Sequence, residues 1–305
     1  MIIIENLHKS YNETEVLKGL NLKVIKGEIY GFIGKNGAGK TTTLNILAGI
    51  SAFNDGKCFI NSIEIKKGSQ DYFGICGFLP EEPKFYNYMT GFEYLSLMGK
   101  ILGQTKQETK QRNEELLKTV GLIDAKKKKI RAYSRGMRQR LGLAVSMYHK
   151  PKVLLLDEPS SSLDPVGRQD MVEILLSLKK QGVTIMLSTH ILSDIENICD
   201  RVGVLSDGKM ALEGKLNDIL RDYANPGYDI YLKEQANNKD LEIIKTLPFV
   251  KNISVEEKKL MIEAFEPEKN INALYSALSK FEVSALSTSI RKANLDEVFK
   301  KVAKV

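Results

Sequence analysis

The chain has 305 residues, 43% hydrophobic and 27% charged, and its 45 Lys and Arg against 38 Asp and Glu give a net charge of +7. Such a length holds about two domains, and the composition excludes a disordered, collagen-like or coiled-coil chain. The longest apolar runs, such as 153–156, fall far short of the ~18 residues that a membrane-spanning helix needs, and the positive balance fits a solvated basic surface without choosing among acidic partners.

The opening MIIIENLHKS has neither the basic lead nor the apolar stretch of a secretory signal, so none is expected. Three cysteines, Cys58, Cys76 and Cys199, are odd in number and have no CxxC spacing. No disulfide framework or zinc site is expected, and a reducing cytoplasm fits. In chain order, 1–7 and 20–25 read as strands. The apolar stretch 29–33 runs into a glycine-rich loop, and 42–48 reads as the start of a helix. Helical spacing recurs over 106–120, 135–149 and 168–181, the last with Met171, Ile174, Leu175 and Leu178 on one face. The short apolar runs 153–156 and 183–187 suit strands buried on both faces of a parallel sheet. Strands alternating with helices predict an α/β fold.

The polar segment 221–227, containing Asn225-Pro226-Gly227, signals a boundary. Beyond it the pattern predicts a strand at 228–233, a helix at 238–247, strands at 250–256 and 259–265, a helix at 269–280 and a strand at 282–288. That β-α-β-β-α-β order is the split βαβ pattern. A closing helix is expected after Asn294, which would cap it.

Residues 34–41 read GKNGAGKT and match G-x-x-x-x-G-K-[ST] at every fixed position. Gly34, Gly37 and Gly39 let the backbone curl so that successive N–H groups face phosphate oxygens. Lys40 supplies positive charge for the β- and γ-phosphates, Thr41 a hydroxyl where Mg²⁺ would sit, and the following helix its positive dipole end. The strand in KVLLLDEP (152–159) ends in two carboxylates. Asp157 is placed to hold Mg²⁺, and Glu158 to polarise a water beside the γ-phosphate. A second apolar strand ends in Ser188-Thr189-His190, where His190 could contact the γ-phosphate or orient water.

In this order the motifs resemble those of an ABC-type ATPase, the nucleotide-binding subunit of an ATP-binding cassette transporter. GKNGAGKT resembles Walker A, VLLLDE Walker B, SSSLDP (160–165) the D-loop and STH the H-loop. The resemblance implies a P-loop NTPase fold over 1–222, with a parallel sheet core, an antiparallel β subdomain and a helical signature subdomain at about 85–150. A small α+β, ferredoxin-like domain would occupy 228–305. It implies ATP and Mg²⁺ as ligands. Tyr11 would stack on adenine, and Val16, Gly34, Lys35, Asn36, Gly37, Ala38, Gly39, Lys40, Thr41 and Thr42 would contact ATP. Glu158 and His190 would serve hydrolysis, and Thr41, Asp157 and Glu81 would face Mg²⁺.

YSRGM (133–137) resembles the signature motif, usually LSGGQ, with Arg135 replacing a glycine and Met137 the glutamine. Taken alone, Ser134 is a good helix cap. In the family, Ser134, Arg135, Gly136 and Met137 would meet the γ-phosphate of ATP held by a second subunit in a head-to-tail dimer. GFLPEEP (77–83) puts Glu81 where the family usually has glutamine, which leaves Mg²⁺ contact possible. The aromatic run FYNYMT (85–90) falls where the family receives its membrane subunit. The RGM signature and the ending Leu295-Asp296-Glu297-Val298-Phe299 resemble the drug and antibiotic export branch. The implied role is ATP hydrolysis driving a separate membrane permease from its cytoplasmic face, with no nucleic acid partner expected. The alternatives are a soluble cassette ATPase acting on ribosomes or DNA, and a non-enzymatic nucleotide sensor. Against the first stand the single Walker A and the lack of a sustained heptad run. Against the second stands the intact set of Lys40, Asp157 and Glu158.

Overall fold

The computed structural model describes residues 1–66, 71–223, 226–291 and 294–302. Two compact units divide between Leu216 and Asn217. The first unit begins with β1 (Ile2–Tyr11), β2 (Thr14–Val24), β3 (Ile29–Gly34), α1 (Lys40–Leu47), β4 (Asp55–Ile60), β5 (Ile63–Glu64) and β6 (Cys76–Leu79). Three helices follow: α2 (Gly91–Ile101), α3 (Lys106–Thr119) and α4 (Arg135–Ser146). The unit then alternates through β7 (Val153–Asp157), α5 (Pro165–Lys180), β8 (Thr184–Ser188), α6 (Leu192–Ile198), β9 (Arg201–Ser206) and β10 (Lys209–Lys215).

Strands β10-β9-β3-β8-β7-β6 form one sheet, parallel except for the antiparallel edge β10. Every residue of β3, β7 and β8 is buried, as continuous apolar strands covered on both faces must be. A second, antiparallel sheet has the order β2-β1-β4-β5. Its inward residues Ile2, Leu7 and Leu17 share a core with Phe32 of β3, Leu44 of α1, Leu155 of β7 and Met186 of β8. Complete burial of one such side chain contributes about 1.5–3 kcal/mol. The glycine-rich loop at the end of β3 is therefore held on a rigid base.

Helices α2 and α3 each start with a capping box, Thr90 with Glu93 and Thr105 with Glu108. Buried Asn113 of α3 donates to Phe92 O (3.2 Å) and Ser96 Oγ (2.8 Å) of α2, and Tyr148 Oη donates to Asn113 Oδ1 (3.1 Å). Arg112 donates to the carbonyls of Met147 and Tyr148 past the end of α4, satisfying orphan acceptors there.

The second unit holds α7 (Leu216–Tyr223) from its second residue onward. It continues with β11 (Gly227–Leu232), α8 (Asn238–Lys245), β12 (Val250–Glu256), β13 (Lys259–Ala264), α9 (Pro267–Leu278), β14 (Ala285–Arg291) and α10 (Leu295–Val302), its first six residues falling within this unit. Its sheet is antiparallel throughout, in the order β12-β13-β11-β14, around Tyr228, Ile230, Phe249, Leu260, Ile262 and Leu274. Buried Asp240, near the start of α8, accepts from the backbone N–H of Glu282 (2.8 Å) and Val283 (3.4 Å).

Several element boundaries differ from expectation for identifiable reasons. Helix α1 starts at Lys40 rather than Thr42, because Gly39 in the left-handed region is already its N-cap. Helix α5 starts at Pro165 rather than 168, since Asp164 accepts from Gly167 N (2.9 Å) and proline suits a first helical turn. Strand β14 starts at Ala285 rather than 282, because the amides of Glu282 and Val283 are committed to Asp240. The division of units precedes the polar segment 221–227, of which Ala224 and Asn225 lie outside the described residues. Asn294 Oδ1 accepts from Glu297 N (2.9 Å) at the head of α10.

All three cysteines are free. Burial pushes the thiols of Cys58 and Cys76 up to about 12, and that of Cys199 well above its ordinary value. Among the described residues, no helix is long and apolar enough to cross a membrane.

Candidate functional site

The carboxyl ends of β3, β7 and β8 bring the main candidate residues together, where open parallel sheets place their ligands. The loop after β3 turns through Gly37 at φ 82° and Gly39 at φ 111°. At Gly39 a Cβ would also lie 2.7 Å from Leu17 Cδ2, so both backbone angle and space demand glycine. Helix α1 leaves the loop with its first N–H groups free to face an anion.

Lys40, 6% exposed, donates from Nζ to Gly34 O (2.8 Å) and Lys35 O (3.3 Å). Burial pulls its ammonium below the usual lysine range, while Glu158, Asp157 and Glu81 act against that shift. Those three carboxylates therefore lie within electrostatic reach of the same ammonium. Asp157 ends β7 fully buried and accepts from Ser188 Oγ at the end of β8. Thr41 is exposed at the start of α1.

Glu158, one residue beyond β7, is buried with φ 48°, in the left-handed region. A non-glycine residue there costs roughly 1–3 kcal/mol, and such strain clusters at functional sites. Its N–H donates to Ser188 O (3.1 Å) and Ser188 Oγ (3.3 Å). Its carbonyl accepts from Ser161 N, Ser161 Oγ and, from α4, buried Gln139 Nε2 (3.5 Å). Its carboxylate Oε2 lies 2.9 Å from His190 Nδ1, with no aligned hydrogen bond. The His190 side chain is 59% exposed.

Tyr11 is half exposed, with Lys9 Nζ 4.4 Å from its ring centre and its hydroxyl 3.3 Å from Ser51 Oγ. Val16, Lys35, Asn36, Gly37 and Ala38 line a cavity of about 300 Å³ together with the β9–β10 turn, Ser206–Gly208. A larger cavity of about 410 Å³ includes Lys152, Leu154 and Val183 at the amino ends of β7 and β8, the end of a parallel sheet away from its ligand sites.

The signature-like segment forms its own cluster. Ser134 caps α4 by accepting from Met137 N (3.2 Å), Arg135 Nη2 is 3.8 Å from Glu82 Oε1, and a Cβ on Gly136 would lie 3.1 Å from Leu163 Cδ2. Within one chain, these polar contacts run to Glu82 and the helix's own first turn. Tyr86 and Tyr88 stack at 5.7 Å and are 53% and 71% exposed, and Phe85 packs on Tyr94.

Among the described residues, no group of three or more His, Cys, Asp or Glu is arranged to hold a metal. Thr41 and Asp157 offer only hard oxygen donors, which suits Mg²⁺ with the rest of its shell from phosphate and water. Sequence reasoning quoted Ser160 and Ser188 inside the D-loop-like and H-loop-like segments without giving either a role, and missed Gln139 and Asp194. Ser188 had a signal, standing beside Thr189-His190 at a strand end. The other three are joined to the site by contacts between distant segments.

Residues 17–161 match the family model described as ABC transporter. The chain is 30% identical over 301 residues to the linearmycin resistance ATP-binding protein LnrL of Bacillus subtilis (strain 168), covering 98% of this chain and 97% of that one. It is 38% identical over 220 residues to the bacitracin transport ATP-binding protein BcrA of Enterococcus faecalis, covering 72% and 70%. Among solved structures it is similar to a dimeric ATP-binding cassette in a post-hydrolysis state bound to ADP and phosphate. That likeness has a TM-score of 0.66 and 25% identity, over 71% of this chain and 99% of the other. An ATP-binding subunit of an ABC transporter matches with a TM-score of 0.67 and 30% identity, over 73% and 93%.

Proposed function

The chain belongs to the ABC transporter ATP-binding proteins, and on that premise we propose that it powers export of an antibiotic or antimicrobial peptide through a permease on a separate chain. The observation that carries the chemistry is the convergence of Lys40, Asp157 and Glu158 where β3 and β7 end, with His190 against the Glu158 carboxylate. The loop amides and Lys40 hold the β- and γ-phosphates. Thr41 and Asp157 would hold Mg²⁺, which when bound neutralises phosphate charge, and Glu81 faces the same cluster. Glu158 takes a proton from the attacking water as its oxygen bonds to the γ-phosphorus and the bond to the ADP oxygen breaks. His190 orients the Glu158 carboxylate and the γ-phosphate. The ring of Tyr11 receives adenine, and the cavity beside Val16 adjoins the loop that holds the phosphates.

Ser134, Arg135, Gly136 and Met137 complete the site of a second cassette in a head-to-tail dimer. Beside the Met137 N–H that Ser134 caps, the N–H groups of Arg135 and Gly136 in the first turn of α4 supply donors to that partner's γ-phosphate. The exposed tyrosines at 86 and 88 form the surface that meets the permease, since aromatic side chains are enriched at interfaces. The working location is the cytoplasmic face of the membrane. The export assignment rests on full-length similarity to a linearmycin resistance protein and on the bacitracin transport relative.

The test is affinity purification of the tagged Glu158→Gln chain, with ATP, from detergent-solubilised membranes of its native cell. A multi-spanning membrane protein in near-equal amount is expected. Ribosomal proteins or DNA without such a protein would overturn the transporter reading in favour of a soluble cassette ATPase.

A further inference from the structure

Glu158 is held in a strained conformation, and the hydrolytic role proposed above depends on where its carboxylate points. Two residues away, Ser160 is 3% exposed and donates from Oγ to Asp194 Oδ2. Asp194 is itself 9% exposed and lies in the first turn of α6. That turn is joined to His190's strand end: Ile191 N donates to Thr189 Oγ1 (3.0 Å), and Asp194 N donates to Ile191 O (3.1 Å). One buried, charge-assisted bond thus links the segment after Glu158 to the segment after His190. Such bonds are roughly twice as strong as neutral ones.

We propose that Ser160 and Asp194 are positioning residues that hold Glu158 in its left-handed backbone conformation and set its carboxylate against His190. The bond closes a loop of contacts. From Glu158 the chain passes through Pro159 to Ser160, across to Asp194, back through Ile191 to His190, and across 2.9 Å to the Glu158 carboxylate. The Glu158 N–H is fixed separately by Ser188. Without the Ser160–Asp194 bond, the residues after Glu158 lose their anchor and relief of the strain becomes favourable. The carboxylate then swings away from the water it must deprotonate. An error of about 1 Å in such a group can cost on the order of a hundredfold in rate.

This inference rests on the ATPase reading. The test uses the full chain, with Ser160→Ala, Asp194→Ala and both together, assayed for phosphate release across ATP concentrations. We expect kcat to fall about tenfold or more, with KM for ATP within about threefold of the parent. The double variant should be no slower than the worse single, because both remove one interaction. Ser160→Thr, which keeps the hydroxyl, should restore turnover. In the Glu158→Gln background, single-turnover measurements should show no further loss from Ser160→Ala. A parent kcat in the variants, or an equal loss in the Glu158→Gln background, would overturn the inference alone. A rise in KM with kcat unchanged, or no rescue by threonine, would also overturn it. A parent chain that hydrolyses no ATP would overturn the ATPase reading and this inference with it.

Discussion

Replacing Glu158 by glutamine separates the chemistry of this site from its architecture. The amide has the same shape, so a position only 6% exposed keeps its packing. The interaction lost is with His190, whose side chain is 59% exposed, and such a pair is worth under about 1 kcal/mol. A unit of this size shifts its melting temperature by about 2–4 °C per kcal/mol, so the variant should melt within that interval of the parent. Turnover should change far more. A general base contributes about 10²–10⁴-fold, or roughly 2.7–5.4 kcal/mol of barrier. ATP binding should be equal or tighter, because one of the three carboxylates around Lys40, and hence around the triphosphate, is neutralised. Phosphate release, ATP titration and size-exclusion chromatography with ATP together read these outcomes. The expected result is a folded chain that binds ATP, accumulates as a dimer and barely hydrolyses. A variant that keeps more than about a tenth of parent turnover, with its fold intact, would refute the general-base assignment.

Gly39→Ala should abolish ATP binding and destabilise the chain by about 1–3 kcal/mol, since it combines a strained φ with a contact on Leu17; calorimetric titration and thermal melts check this. His149 donates from Nε2 to Cys76 O (3.1 Å), and burial holds its imidazole below the usual histidine range. Its neutral form is therefore favoured in the folded state. The stability it contributes is present above the unfolded pKa of about 6.5 and is lost as pH falls through the lower folded value. Urea titrations from pH 7.5 down to about 5 should show this loss, and His149→Gln should flatten it. Asp240→Ala should destabilise the second unit by about 1–3 kcal/mol, because it leaves the Glu282 and Val283 amides without their acceptor. Denaturant unfolding followed by tyrosine fluorescence measures the loss.

The phosphate loop and the two carboxylates were legible because each motif occupies consecutive residues whose chemistry needs no partner from elsewhere. Buried strands β3, β7 and β8 were legible for a similar reason, as unbroken apolar runs. Strands β4, β5 and β6 were not singled out, being two to six residues long and partly exposed. The first hairpin is longer than its apolar pattern suggested, since register shifts between Ile4 and Leu7 and between Lys9 and Ser10 break the alternation. The contacts that orient the site were hidden for another reason. Ser188 meets Asp157 across 31 positions, Ser160 meets Asp194 across 34, and Gln139 reaches the Glu158 carbonyl across 19. Only the sheet order brings those segments together. The left-handed backbone of Glu158 likewise follows from tertiary restraint and has no local signature.

The burial of Cys58 and Cys199, and the partial burial of Cys76, have a practical consequence for watching this protein move. With pKa values pushed up to about 12 at Cys58 and Cys76, the reactive thiolate at neutral pH is on the order of one molecule in 10⁴ or fewer. A maleimide dye should therefore pass over the parent chain and attach to one cysteine introduced at an exposed site, such as Ser284. The unmodified sequence is in effect its own cysteine-free background. Fluorescence reporters can then follow association between subunits without first mutating positions inside the core.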